Sequence, residues 1–316
     1  MANYIFKNLI NSKHYFTYLV NNNNNKKLFI DILNDILENK LNKLKICFDF
    51  EFNFRQIGLC QVLISSKKDN NIFLFHPTYF NNNELELIKK SLYLSNYPKI
   101  LHGSESLDIP YIYNQVLNNN NKDILTFTKN IYDTRFMCEN LTKMYNNPYI
   151  KCSLYDALLK SNIINEQQYQ NLNDIVKEHP KIYKLHWNIY NMPEFAYKYA
   201  AYDVIFLRSF IKKLLKEKSN KLIAEYTRFV FLERNNITSI SNKCISIINK
   251  NNLNKNNILD NKYDKIKDNL IGHNNDYFKK YLAIITKYIL SKNKDYDILS
   301  ELNNFKLIKK ELQKLI

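Results

Sequence analysis

The chain has 316 residues, 45% of them hydrophobic and 24% charged, which is long enough for one large domain or two modest ones with a real core. Its 46 basic residues against 30 acidic ones leave a formal charge of +16, which suits a partner carrying phosphates. Five cysteines (Cys47, Cys60, Cys138, Cys152, Cys244) contain no CxxC pair, so no disulfide framework or zinc spacing is visible and a reducing compartment is expected. The opening MANYIFKNLINSKHYF has no apolar stretch of signal type, and no run approaches the roughly 18 apolar residues of a membrane span. The expectation is a soluble intracellular protein, with cytoplasm and nucleus not distinguished.

Glycine occurs three times, at Gly58, Gly103 and Gly272, while Asn, Lys, Ile and Tyr are abundant. Only five basic residues are arginine (Arg55, Arg135, Arg208, Arg228, Arg234). An AT-rich coding sequence produces this bias, which lowers the meaning of any single lysine patch. The charge is unevenly spread: residues 209–316 hold 22 Lys and Arg against 11 Asp and Glu, or +11, and residues 1–208 hold the remaining +5.

In chain order, the Asn runs at 21–25, 81–83 and 118–121 read as loop tips. KKLFIDILNDILENKL places apolar residues at helical spacing. Three strand-like segments follow, at 44–53, 57–66 and 71–76, spaced for an antiparallel meander. ELELIKKSLYL reads as a helix, KILHG as a buried strand, IPYIYNQVL as a second helix, NIYD as a short strand and TRFMCENLTKMY as another helix. From about residue 153 the pattern is helical, including EFAYKYAAYDVIFLRSFIKKLL as one helix. The order predicts an α/β fold with a mixed sheet. It divides into an N-terminal extension or helix over 1–40, a main domain over 41–217 and a basic, all-helical region over 218–316.

The chemistry centres on ICFDFEFN, residues 46–53. In a strand, Phe48, Phe50 and Phe52 line one face while Asp49 and Glu51 project together from the other. Two adjacent carboxylates either face water on an edge strand or need compensation, for which a divalent cation is the usual agent. In YAAYD, Tyr199 and Asp203 stand four residues apart on one helix face. Ala200 and Ala201 let that helix approach a neighbour closely. KILHGSESLDIPYIYN carries Glu105 and Asp108 where a strand hands over to a helix, and Asp108 alone reads equally as an N-cap.

Together and in this order the three segments resemble the DEDD superfamily of 3′→5′ exonucleases, in its tyrosine branch and closest to RNase D. Asp49-Phe50-Glu51 matches the first motif. Gly58 and Gln61 match a glycine and glutamine on the following strand, and KILHGSE matches the strand before the second motif. Asp133 and Thr134 match an I-D-T segment, and His186–Trp187 with MPEFAYKYAAYDV resembles the end of the domain. Some branches place a histidine five residues before the final aspartate; that position here is Lys198, and Tyr199 places the chain in the tyrosine branch. One departure concerns the second motif, whose aspartate usually follows the H-x-G-S-E segment directly. Ser106 stands there, so Asp108 is taken, with Glu105 as the alternative.

The resemblance implies an RNase H-like mixed sheet flanked by helices and two divalent ions, Mg²⁺ or Mn²⁺. It assigns Asp49 to bridge the ions, Glu51 and Asp203 to the ion holding the attacking water, Asp108 to the second ion and Tyr199 to orienting water and phosphate. Gln61, His102, His186 and Trp187 are the substrate-binding candidates by position, although a lone tryptophan before a helix also reads as core. The implied partner is nucleic acid with a free 3′ end, RNA favoured over DNA. A DNA exonuclease of Werner or proofreading type and a catalytically degenerate nucleic-acid-binding or scaffold protein are the alternatives. No motif identifies residues 218–316, whose charge suggests a grip on nucleic acid.

Overall fold

The β-branched and aromatic runs of the first half pair into one mixed sheet. The computed structural model describes residues 2–216 apart from 11–12, 68, 145–151 and 180–184, together with Ala224, Thr227, Arg228 and Phe231. The basic region expected over 218–316 lies almost wholly outside the described residues. The strands are β1 (Phe6–Ile10), β2 (Lys13–Leu19), β3 (Lys45–Asn53), β4 (Gln56–Ser65), β5 (Asn70–Phe75), β6 (Lys99–Leu101) and β7 (Ile131–Asp133). They lie in the order β1-β2-β5-β4-β3-β6-β7.

The meander is present as expected, with β4 antiparallel to both β3 and β5. β6 joins β3 and β7 joins β6 in parallel, each after a helical crossover. β1 and β2, for which the pattern gave no strand, pair antiparallel. In addition, β2 pairs in parallel with β5 and widens the sheet.

Two helical layers cover the sheet. On one side lie α1 (Asn23–Leu37), α2 (Asn82–Ile88), extended by a π-turn at Lys89–Tyr93, and α3 (Asp108–Tyr111), extended at Ile112–Val116. Helix α1 buries Asn25, Phe29, Leu33 and Ile36, one residue per turn. Its Phe29 ring meets Phe73 and Phe75 of β5 at centroid distances of 4.7 and 5.1 Å. The phenylalanine face of β3 points the same way: Phe48 meets Tyr93 at 5.1 Å and Phe50 meets Tyr111 at 5.4 Å. Helices α4 (Asn121–Thr128), α5 (Thr134–Met144), α6 (Leu154–Lys160) and α7 (Glu166–Glu178) follow, of which α4 had no counterpart in the pattern. The expected single helix through YAAYDVIFLRSF breaks at Phe206 into α8 (Glu194–Ile205) and α9 (Leu207–Leu214). Helix α8 packs on β3, β4 and β5, the face opposite α1, and α9 packs on β3 and β6.

The asparagine runs differ from their expected role as loop tips. Asn22, Asn81 and Asn120 cap α1, α2 and α4 by accepting from backbone N–H groups. Asn118 and Asn119 adopt positive φ, which asparagine tolerates better than most residues. Asn25 is buried, and its amide donates to the carbonyls of Leu19 and Asn3.

The cysteines also correct an expectation. Cys138 of α5 and Cys152, just before α6, form a disulfide across 14 residues. A loop of that size contributes about 3 kcal/mol. Cys47 and Cys60 are buried thiols, and burial pushes Cys47 up to about 12. Among the described residues no helix is long and apolar enough to cross a membrane.

Candidate active site

Alternation along β3 turns Asp49 and Glu51 away from the phenylalanine layer and toward α8, as the sequence predicts. Asp203, in the last turn of α8, meets them there: one carboxylate oxygen from each of Asp49, Glu51 and Asp203 lies within 4.8 Å of the others. Ala200 and Ala201 are buried on α8, so no larger side chain separates the helix from the sheet. The three carboxylates are half-buried.

Burial raises all of them. Asp49 is pushed up to about 7, chiefly by loss of water, against a bond from the Phe50 N–H. Glu51 and Asp203 stand well above the usual carboxylate range, first through burial and then through the charge of Asp49.

Asp108 is the buried carboxylate of the second-motif segment, and Glu105 is the partly exposed one. It is not an N-cap. Leu107 holds the cap position of α3 and no side chain caps the helix, so the Asp108 carboxylate is not engaged in capping. Burial raises it well above its ordinary value, with the charge of Asp49 next, and its own charge raises Glu51. It therefore shares the electrostatic environment of the cluster.

The segment leading to Asp108 is held by Asp133. This fully buried carboxylate accepts from the Gly103 N–H (3.0 Å), the Ser104 N–H and hydroxyl (2.9 and 2.8 Å) and the Arg135 N–H (2.9 Å). Gly103 has φ +66°, a conformation that favours glycine. His102 is built into the same junction. Its Nε2 donates to the Cys152 carbonyl at 3.0 Å and its Nδ1 lies 2.8 Å from the Thr134 hydroxyl. Burial lowers it to about 4, so the ring is neutral at physiological pH.

Of the remaining expected residues, Tyr199 donates its hydroxyl to Asp203. Gln61, directly opposite Asp49 across the β3–β4 ladder, donates Nε2 to Glu51 at 3.1 Å and leaves Oε1 buried without a partner. Gln61 is fully buried and Trp187 is 4% exposed, so both act through neighbours more readily than on a substrate. Trp187 lies 6.3 Å from the Tyr199 ring, and Asn53 clamps its backbone, accepting from its N–H and donating to its carbonyl at 2.8 Å each. A Cβ on Gly58 would sit 2.6 Å from the Trp187 Cβ, which explains the glycine. His186 is exposed beside this clamp.

Two features were missed. Tyr155 of α6 donates to Asp203 Oδ1 at 2.8 Å, and nothing local distinguishes it among 24 tyrosines. Phe54 and Arg55 form the two-residue turn between β3 and β4, three to four residues past Glu51, with φ of 48° and 72°. Such a turn usually takes Asn-Gly. Here it projects a phenyl ring that is 99% exposed, with a guanidinium beside it. The short N-F-R-Q link between two strand patterns was the available signal.

The donor set fits a hard divalent cation: oxygen donors only, converging, mutually repelling as anions, with an orphaned amide oxygen alongside. Zinc of structural type would call for nitrogen or sulfur donors, which the cluster lacks.

No family model matches the chain. An uncharacterized protein of Acanthamoeba polyphaga mimivirus is 34% identical over 236 residues, covering 64% of this chain and 45% of that protein. The chain thus spans about half the length of the curated relative it matches. Among solved structures, Trypanosoma brucei RNase D in complex with GMP aligns with TM-score 0.47 and 14% identity, over 69% of this chain and 63% of that one. The same enzyme in complex with RNA U12 aligns with TM-score 0.44 and 16% identity, over 69% of each chain. The EXO domain of Aedes aegypti Nibbler aligns with TM-score 0.41 and 15% identity, over 72% of this chain and 99% of that one.

Proposed function

We propose that the chain is a divalent-metal-dependent 3′→5′ exonuclease of the tyrosine DEDD branch, RNase D-like, acting on nucleic acid with RNA favoured. The observation that carries this reading is the convergence of Asp49, Glu51 and Asp203 oxygens within 4.8 Å on half-buried ground. Carboxylates so placed repel one another, and a divalent cation relieves both repulsion and desolvation. The motif order from Asp49 to Asp203 supports the choice of chemistry, and the local likeness to RNase D sequences supports RNA.

When bound, a pair of Mg²⁺ or Mn²⁺ ions supplies an activated water and neutralises charge on the leaving 3′-oxygen. Asp49 would serve both ions, Glu51 and Asp203 would hold the one that supplies the attacking water, and Asp108 would support the other. Tyr199 would orient water and scissile phosphate through its hydroxyl oxygen, which still accepts while its proton is donated to Asp203. Gln61 fixes Glu51, and Trp187 backs the Tyr199 ring. Phe54 and Arg55 offer a stacking face and a phosphate partner at the rim. The charge of residues 209–316 adds a salt-dependent grip.

The test is incubation with 3′-labelled RNA and DNA, with Mg²⁺ or Mn²⁺, beside Asp49→Ala. Metal-dependent shortening by the wild type alone is the expected result, faster on RNA. Binding without shortening would replace this reading with a degenerate nucleic-acid binder.

A further inference from the structure

Asp203 receives two phenols. Tyr199 comes from its own helix, one turn earlier, and Tyr155 comes from α6, 48 residues away in sequence. The second contact is anchored more heavily than core packing alone requires. Immediately before α6, Cys152 is bonded to Cys138 of α5 and its carbonyl accepts from His102. Within α6, Asp156 accepts from Ser153 at 2.5 Å and from the Tyr169 hydroxyl of α7 at 2.6 Å. Ala157 and Leu158 are buried beneath the helix. The Tyr155 hydroxyl thus reaches Asp203 from a fixed platform, in a region that also feels Asp49 and Tyr199.

A carboxylate at the end of a helix rotates freely about its side-chain torsions unless something holds one oxygen. Tyr155 holds Oδ1, which limits the orientations open to the group. Phenylalanine would fill the same space without holding that oxygen.

We propose that Tyr155 is a positioning residue for cation binding: its hydroxyl, donated to Asp203 Oδ1, orients that carboxylate as a metal ligand. This rests on the metal-site reading above.

The test uses the full chain and Mn²⁺, titrated by calorimetry or by the loss of the free-ion electron paramagnetic resonance signal. Tyr155→Phe is expected to raise the Mn²⁺ dissociation constant about tenfold or more, as loss of a ligand-orienting partner does elsewhere. Its turnover should return toward wild type at high Mn²⁺, because the metal dependence and not the chemical step is altered. Leu33→Ala, buried in α1 on the opposite face of the sheet, separates positioning from general loosening. It should lower the melting temperature in EDTA and leave Mn²⁺ affinity within about twofold. An unchanged dissociation constant in Tyr155→Phe overturns the proposal, as does equal weakening in Leu33→Ala. If the wild type binds no more Mn²⁺ than Asp49→Ala, the metal-site reading itself fails and takes this one with it.

Discussion

Replacing Asp49 by asparagine should stabilise the metal-free protein while removing its capacity for metal. Asp49 shares half-buried ground with Glu51 and Asp203, and burial lifts its carboxyl from 3.8 to about 7. A displacement of about three pH units is worth about 4 kcal/mol at full strength. The side chain keeps some contact with water, and screening reduces the usable figure to about 2 kcal/mol. Because the folded pKa is the higher one, the fold holds a proton that the unfolded chain has lost between the two values. The stability contributed by that proton therefore drains away as pH rises through that window, and the contribution is gone above about pH 7.

Asparagine carries no such penalty, so its advantage should be near zero at about pH 4 and complete at about pH 8. Thermal melting in EDTA at both pH values reads it out, with a rise of about 4–8 °C expected at the higher pH. Excess Mn²⁺ should then raise the wild-type melting temperature by mass action and leave the variant unmoved. A variant no more stable than wild type at the higher pH, or an advantage of equal size at both, would refute the reasoning.

Lys99, fully buried on β6 with its ammonium donating to the Ser95 carbonyl, is drawn down from 10.5 to about 7 by loss of water. Across that window the unfolded chain carries the extra proton, so this residue makes stability climb with pH by up to about 1.4 kcal/mol per unit. Urea unfolding of Lys99→Met should show a higher stability at pH near 7 and the loss of that climb; an unchanged slope counts against it. Phe54→Ala should leave melting unchanged, since the ring is 99% exposed. It should raise KM for single-stranded RNA by about tenfold with kcat within about twofold, the scale of one lost base–aromatic stack. Steady-state kinetics that show no change in KM would remove Phe54 from the substrate path.

Much of the site was legible because its parts are local. Alternation on β3 puts Asp49 and Glu51 on one face, and a four-residue step on α8 aligns Tyr199 with Asp203. Both patterns follow from backbone geometry, which any chain of these residues must obey. The N-cap reading of Asp108 was equally lawful, and only the position of Leu107 at the cap settled against it. The asparagine runs misled because composition cannot distinguish an exposed tip from a cap, whereas Asn22, Asn81 and Asn120 are spent on orphan N–H groups.

By itself the sequence determined the meander, the helical character of residues 154–214 where they are described, the carboxylate pair and the tyrosine–aspartate pair, since each depends on periods of two or about four residues. The tertiary structure alone decided what meets across long separations. It brought Tyr155 onto Asp203, Asn53 onto Trp187, Cys138 onto Cys152, and Asp133 under the turn that leads to Asp108. Those contacts arise from how helices and sheet pack, through close approaches such as Trp187 over Gly58. Local periodicity carries no record of them, because it registers which way a side chain faces and not what waits on the other side.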